Sequence, residues 1–269
     1  MYEEHWRLSA KPFENDLDTR FFYASPEHRE ALVRLLYAVI EGKGLSLLVG
    51  EAGCGKSYLL YRLADELRER GVRVGLVANP ASEPLDLLRQ IARAFGLRQA
   101  DGTKSEIVAG LEQFLRYHRE RGSRAVLLID DADVIDNERA YEELRLLLNL
   151  THEGRPLLTI VLAGLPRLVK QLRRVPGLLQ RVAVLATLPP LEARDTQRYV
   201  AHRLGVAQGA AELFAPEAIE AVHRISGGIP RLINHVCDLA LLVGAAEGLE
   251  RIEPALVERA AQEMRDLRV

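Results

Sequence analysis

The sequence predicts an α/β fold: a parallel five-stranded sheet sandwiched by helices, followed by a small all-helical domain. Three observations predict it. Five nearly continuous apolar runs, at 45–49, 72–77, 125–129, 158–163 and 182–187, alternate with helical patterns, as strands covered on both faces require. After Leu188-Pro189-Pro190 the strand pattern stops, and only amphipathic helical segments follow. Between the first apolar run and the next helical pattern stands a glycine-rich octapeptide, Gly50-Glu51-Ala52-Gly53-Cys54-Gly55-Lys56-Ser57.

Taken in order, residues 1–24 lack periodicity but hold Trp6, Phe13, Phe21, Phe22 and Tyr23, the composition of an irregular strap that packs on the body. Ser25-Pro26 then supplies an N-cap and a proline at the first helical position, opening a helix that runs through Leu32, Leu35, Leu36 and Val39 to about Glu41. Helical patterns between the strands lie at 57–70, 83–95, 103–121, 138–151 and 166–173. Beyond the double proline, helices are expected at 192–204, 216–226, 230–247 and 253–267. Pro216, Pro230 and Pro254 stand near their starts, and glycines at 205, 227, 228 and 248 near their ends. The expected domains are a strap at 1–24, an α/β domain at 25–188 and a helical lid domain at 189–269.

The chain has 269 residues, 48% hydrophobic and 28% charged, with a formal charge of −2, so composition gives no bulk electrostatic reason to bind nucleic acid or an anionic membrane. Cys54 lies in the glycine-rich loop and Cys237 in an apolar helical pattern, and a bridge between those environments would obstruct the loop. Both are expected to be free thiols in a reducing compartment. The first residues lack the charged and apolar regions of an export signal, and no window approaches 18 uninterrupted apolar residues. The expected location is cytoplasmic, without a direct membrane span. Asn149-Leu150-Thr151 matches a glycosylation sequon but falls in a predicted helix.

The octapeptide matches G-x-x-x-x-G-K-[ST] and has the required setting, with the strand 45–49 before it and a helix with Leu59, Leu60, Leu63 and Leu67 on one face after it. Such a loop curls so that successive backbone N–H groups point inward at phosphate, helped by the dipole of the following helix. The expected nucleotide-binding residues are Gly50, Glu51, Ala52, Gly53, Cys54, Gly55, Lys56, Ser57 and Tyr58. Lys56 would reach the β and γ phosphates, and the Ser57 hydroxyl would sit on Mg²⁺. Cys54 occupies a variable position and serves spacing. Arg124-Ala125-Val126-Leu127-Leu128-Ile129-Asp130-Asp131 is an apolar strand ending in two carboxylates, the form of a Walker B element. Asp130 would hold Mg²⁺, and Asp131 would polarise the attacking water.

With these elements in place, the chain resembles the AAA+ ATPases. Within them it is similar to the ExeA/GspA-type ATPases of bacterial general secretion, with the TnsC/TniB transposition ATPases as more distant kin. The residues that carry the narrower likeness are Met1-Tyr2, Trp6, Lys11-Pro12-Phe13, Phe21-Phe22-Tyr23 and His28 at the N-terminus, and Ser226-Gly227-Gly228-Ile229-Pro230-Arg231-Leu232-Ile233-Asn234 in the helical region. The resemblance implies ATP and Mg²⁺ as cofactors, ATP hydrolysis, nucleotide-dependent self-association, and a protein partner in a membrane or secretion assembly. It makes Arg231 the sensor 2 arginine that reaches the γ-phosphate. It makes Arg181 an arginine finger acting on a neighbouring subunit, so that Lys56, Asp131, Arg181 and Arg231 form the implied catalytic set. Residues 165–181 hold Arg167, Lys170, Arg173, Arg174 and Arg181 and no acid, which suits a surface facing phosphate, although Arg167 and Lys170 fit equally well as solvated helix charges. His28 fits either an adenine contact or a surface or capping position.

Two departures from the family pattern bear on chemistry. Asp130-Asp131-Ala132-Asp133 stands where the group has Asp-Glu-Ala-Gln, which shortens the water-polarising side chain by a methylene. Gly164-Leu165-Pro166 stands where it has Gly-Gln-Pro, and leucine cannot hydrogen-bond water or phosphate. Slow hydrolysis is therefore expected. Two alternatives stay open: a DNA-associated regulator of the transposition type, which the near-neutral charge disfavours, and a scaffold that binds nucleotide without turnover.

Overall fold

The computed structural model describes residues 2–16, 18–97 and 100–266. The expected end of the last helix at 267 lies outside them, as do the first strap residue and the last three of the chain. In chain order, α1 (Glu3–Trp6) and α2 (Pro26–Ile40) precede β1 (Leu45–Gly50), α3 (Lys56–Glu69), β2 (Arg73–Val77), α4 (Pro84–Ala94), α5 (Lys104–Glu120), β3 (Ala125–Ile129) and α6 (Glu138–Leu147). A small ribbon of β4 (Thr151–His152) and β5 (Arg155–Pro156) leads to β6 (Thr159–Gly164), α7 (Arg167–Leu172), α8 (Pro176–Leu179) and β7 (Val182–Leu188). The helices α9 (Ala193–Val206), α10 (Pro216–Ser226), α11 (Pro230–Ala246) and α12 (Pro254–Asp266) follow. By contacts the described residues form two units: an α/β unit of Pro26–Glu51 and Lys56–Leu188, and a helical unit of the residues before Pro26, Ala52–Gly55 and those from Pro189 on.

In the α/β unit five strands lie in the order β2-β3-β6-β1-β7, every pair parallel. The burial of each strand follows from its place. β1, β3 and β6 are buried along their whole length, whereas the edge strands β2 and β7 are partly exposed, β7 in near alternation. Strand alternation sends Leu45, Leu47, Val49, Leu127, Ile129, Ile160 and Leu162 to one face, where they pack with Leu87, Ile91, Ile107, Leu111 and Leu144 of α4, α5 and α6. Helices α2 and α3 cover the other face, α2 against β7 and α3 against β1, β2 and β6. The start of α5 is held by a reciprocal cap: the Glu106 amide donates to the Thr103 hydroxyl, and the Glu106 carboxylate accepts from the Thr103 amide.

One predicted element is shorter than expected. The helix begun at Glu138 stops at Leu147 rather than 151, because the chain turns into the β4–β5 ribbon, whose loop residues Glu153 and Gly154 have φ of 50° and 73°. Positive φ at both loop residues is the geometry of a tight hairpin turn. Two-residue strands are too short to show an alternation, and Asn149 consequently lies beyond the helix.

The helical unit has its own core, and the N-terminal segment belongs to it. Tyr2, Trp6, Leu8, Phe13 and Phe21 are buried with Val200, Phe214, Val222, Ile233, Val236 and Leu241. Trp6 Nε1 donates to the Leu241 carbonyl at 2.8 Å, and Phe13 meets Phe214 edge to face. Arg203, 5% exposed, makes no direct ion pair with a carboxylate among the described residues; it donates to the carbonyls of Pro12 and Glu14 and to the Tyr199 hydroxyl. Between α10 and α11 the chain turns through Gly227 and Gly228, and Gly228 exchanges close contact with Leu191, whose amide donates to the Gly228 carbonyl at 2.8 Å. Gly228 has φ of 77°, and a Cβ there would stand 2.0 Å from the Leu191 carbonyl oxygen. No helix among the described residues is long and apolar enough to cross a membrane. Gly228→Ala is expected to destabilise the protein by about 2–4 kcal/mol, from the left-handed conformation and the overpacking together. Urea unfolding measures this, and a midpoint equal to the parent's would show that Leu191 yields freely.

Candidate nucleotide site

The glycine-rich loop joins the end of β1 to the start of α3. Gly53 and Gly55 have φ of 85° and 90°, a region that a Cβ disfavours, so the loop curls as the motif requires. Helix α3 begins at Lys56, and the amides of its first turn have no intrahelical partner. Lys56 is 7% exposed, and its Nζ donates to the carbonyls of Gly50 at 2.9 Å and Glu51 at 3.0 Å. The ammonium is thus held at the base of its own loop by neutral acceptors, which an anionic oxygen would outcompete. Gly50 admits no side chain, because a Cβ would lie 2.6 Å from the Leu188 carbonyl of the adjoining strand. Ser57 and Tyr58 are half-buried on the first turn of α3.

Asp130 leaves the end of β3, its amide donating to the Val77 carbonyl at 2.9 Å, and is 4% exposed. Burial raises its carboxyl above the usual carboxylate range; hydrogen bonds from the Ser57 hydroxyl and the Asp131 amide, and the nearby Lys56 charge, pull the other way. The charged groups of the motif therefore share one neighbourhood within the α/β unit. A buried carboxylate touching a hydroxyl is a hard-oxygen donor pair of the kind that Mg²⁺ takes while keeping several waters, so the residues fit that ion. Asp131 is exposed and stands in the left-handed region, φ 46° and ψ 36°, with its amide 3.0 Å from Asp130 Oδ1. Aspartate is among the few non-glycine residues that tolerate this conformation.

The remaining predicted residues fall in three places. In the helical unit, which includes Ala52–Gly55, the Arg231 amide donates to the Gly53 carbonyl at 3.3 Å, and a Cβ on Gly53 would lie 2.8 Å from Arg231 Cβ. Cys54 is fully buried, in keeping with a packing role. Arg181 is not brought to the loop of its own chain: it precedes β7, and its carbonyl accepts from Leu45 at the start of β1, a strand length or roughly 17 Å from Gly50. Its guanidinium bonds Asn149. His28 is 4% exposed in the first turn of α2, not the surface position that was one of its two readings.

Sequence reading missed one group. Asp133, noted only as a departure from the family pattern, is 3% exposed and binds the loop after β6: its Oδ1 accepts from the Leu165 amide at 2.8 Å and its Oδ2 from Arg167 Nε at 2.7 Å. The available signal was a third acid three residues after Asp130, standing where the family pattern has glutamine. A cavity of about 740 Å³ bordered by Arg70, Arg119, Arg124, His152 and Arg155 lies at the other end of the sheet, by the starts of β2 and β3, and is not the loop's site.

Comparison with known proteins agrees with this geometry. The pattern of a family described as an AAA domain matches residues 39–172. General secretion pathway protein A of Aeromonas hydrophila is 35% identical over 271 aligned residues, covering 100% of this chain and 49% of that protein. The chain belongs to the AAA+ family. As an AAA+ chain it spans about half the length of that relative. Among solved structures, the Aeropyrum pernix ORC2 protein, in its ADPNP-ADP complexes, superposes with a TM-score of 0.72 at 17% identity, over 95% of this chain and 72% of that one. The Aeropyrum pernix ORC1 protein in complex with DNA gives 0.68 at 20% identity, over 92% and 68%. At these identities the likeness shows the AAA+ fold alone.

Gly53→Ala is expected to lower stability by about 1–2 kcal/mol from conformation alone, with a further loss from its approach to Arg231. Thermal unfolding reads the effect, and an unchanged midpoint would show that the loop can be redrawn at no cost.

Proposed function

We propose that this AAA+ chain binds ATP with Mg²⁺ and hydrolyses it slowly, as a nucleotide-driven switch that self-associates and acts on a protein partner of a membrane or secretion assembly from the cytoplasmic side. The observation that supports this most is the convergence of Lys56, Ser57 and Asp130 in one buried neighbourhood with Asp131 exposed beside it. In this reading the Lys56 ammonium leaves its two loop carbonyls for the β and γ phosphate oxygens, and the inward amides of the loop take the remaining phosphate charge. Mg²⁺, when bound through Ser57 and Asp130, supplies charge neutralisation at the phosphates. Asp131, exposed beside them, orients water, and its short side chain keeps the rate low. Arg231 reports the presence of the γ-phosphate to the helical unit. Arg181, at the far end of the sheet, serves a neighbouring copy, which makes self-association part of the reaction. The similarity to general secretion pathway protein A supports the secretion setting, and the formal charge of −2 disfavours DNA as the partner.

Lys56→Ala is expected to weaken binding of a fluorescent ATP analogue at least tenfold, with the circular dichroism spectrum unchanged, because one charge-assisted hydrogen bond is worth about 1.5–3 kcal/mol. Chelation with EDTA should weaken binding to the wild type as well. Undiminished binding in Lys56→Ala would reject the site.

With a slowly hydrolysed ATP analogue, light scattering should show a species larger than the nucleotide-free protein. Arg181→Ala should retain analogue binding and lose phosphate release by roughly 1,000-fold or more, the scale for a trans-acting arginine. A strict monomer in every nucleotide condition would rule out the assembly reading.

A further inference from the structure

The loop after β6 leaves the sheet between the two strands that deliver the nucleotide-site residues. The order β3-β6-β1 places it there: Gly164 pairs with Val49, the residue before Gly50, and Leu162 pairs with Ile129, the residue before Asp130. A polar side chain emerging at this point can respond to the terminal phosphate of a nucleotide. Leu165 offers none.

Thirty-two residues before Leu165 in sequence, Asp133 changes what the loop presents. Its side chain is 2% exposed, it accepts the Leu165 amide and Arg167 Nε, and it sits so close to Gly164 that a Cβ there would lie 2.6 Å from Oδ1. The turn that carries Asp133 is itself fastened to α6 and α7: Tyr141 donates to the Ala132 carbonyl at 2.7 Å, and Gln171 Nε2 donates to the carbonyls of Asp133 at 2.9 Å and Ile135 at 3.2 Å. A buried carboxylate is costly unless its charge is matched, and among the described residues Arg167 is the cation that matches it. Arg167 nevertheless remains 58% exposed, and Nε is the one guanidinium nitrogen committed to Asp133. A guanidinium has a second edge, so the two Nη groups are left to bind an anion while the carboxylate fixes the plane.

We propose that Arg167 is the phosphate-responsive group of this loop, taking up the task that Leu165 cannot perform, and that Asp133 is the positioning residue that aims it. This rests on the nucleotide-binding reading above. Arg167 meets the γ-phosphate and not the β-phosphate, so its contribution is to the discrimination between triphosphate and diphosphate. The Lys56 contacts, which serve both nucleotides, are independent of it.

The test compares the affinities of the full chain for ADP and for a slowly hydrolysed ATP analogue, both with Mg²⁺, by displacement of a fluorescent nucleotide. Arg167→Gln, at a position more than half exposed, is expected to fold normally, keep the wild-type affinity for ADP, and lower the analogue-to-ADP affinity ratio by about tenfold or more. Arg167→Lys, which keeps the charge and loses the fork, should fall between the two. Asp133→Asn should also lower the ratio at unchanged ADP affinity. If it lowers only the unfolding midpoint, or if the folded variant keeps the wild-type ratio, the positioning role is overturned. Should Asp133→Asn fail to fold, Arg167→Gln alone decides the proposal. A wild-type ratio in Arg167→Gln overturns the phosphate-responsive role while nucleotide binding stands; a wild type that binds neither nucleotide overturns the parent reading and this one with it.

Discussion

All five strands of the large sheet run the same way, so each connection crosses back over a face and each strand delivers its C-terminal loop to one edge. From that constraint follows the meeting of residues far apart in sequence. β1 ends in the glycine-rich loop, β3 in Asp130 and Asp131, and β6 in Gly164 and Leu165. The chain moves from β1 to β2 across the intervening strands and later returns to β7 on the other side of β1, and the crevice at such a reversal is where open α/β sheets hold ligands. Covering both faces with helices removes the middle strands from water, which is why their runs are apolar throughout. It also confines polar chemistry to the ends.

Charges placed at those ends are partly buried, and each is matched differently. Lys56 has two neutral carbonyls, Asp130 a hydroxyl and an amide, and Asp133 an amide together with a guanidinium. The first two arrangements leave a formal charge without a counter-charge in direct contact, an incomplete electrostatic state that a triphosphate and a divalent cation would complete from opposite sides. Asp133 is already complete, as a structural group must be. Arg203 in the helical unit solves the same problem for a cation with carbonyls, a hydroxyl and two aromatic faces, Phe21 and Tyr199.

Much of this was legible in the residues because the relevant signals are local. A strand with both faces covered is a run of leucine, isoleucine and valine; a helix start is a proline, and a helix end a glycine; the phosphate loop is eight consecutive residues. What was not legible depends on partners distant in sequence. The helix expected to reach 151 gives way to a ribbon whose strands are two residues long, below the length at which periodicity exists. Nothing in the pattern of Asp133 or Arg167 taken singly distinguishes an orienting pair from two solvated charges. The aromatics of the first 24 residues promised packing against the body, but their placement in the core of the helical unit comes from contacts across some two hundred residues.

Those long contacts also order events in time. The bond from Trp6 to Leu241 spans 235 residues and that from Arg203 to Pro12 spans 191, with the whole α/β unit lying between in sequence. During synthesis the aromatic strap is made before α9 to α11, so its apolar side chains are without these partners until those helices follow. Contacts of such separation form slowly because a long loop must close before any of them stabilises the fold. The α/β unit has its sequence complete in the meantime, so its own collapse would shorten the effective span and bring the two pieces of the helical unit together. Among the described segments, the strap is the one whose apolar side chains wait longest for their partners in the growing chain.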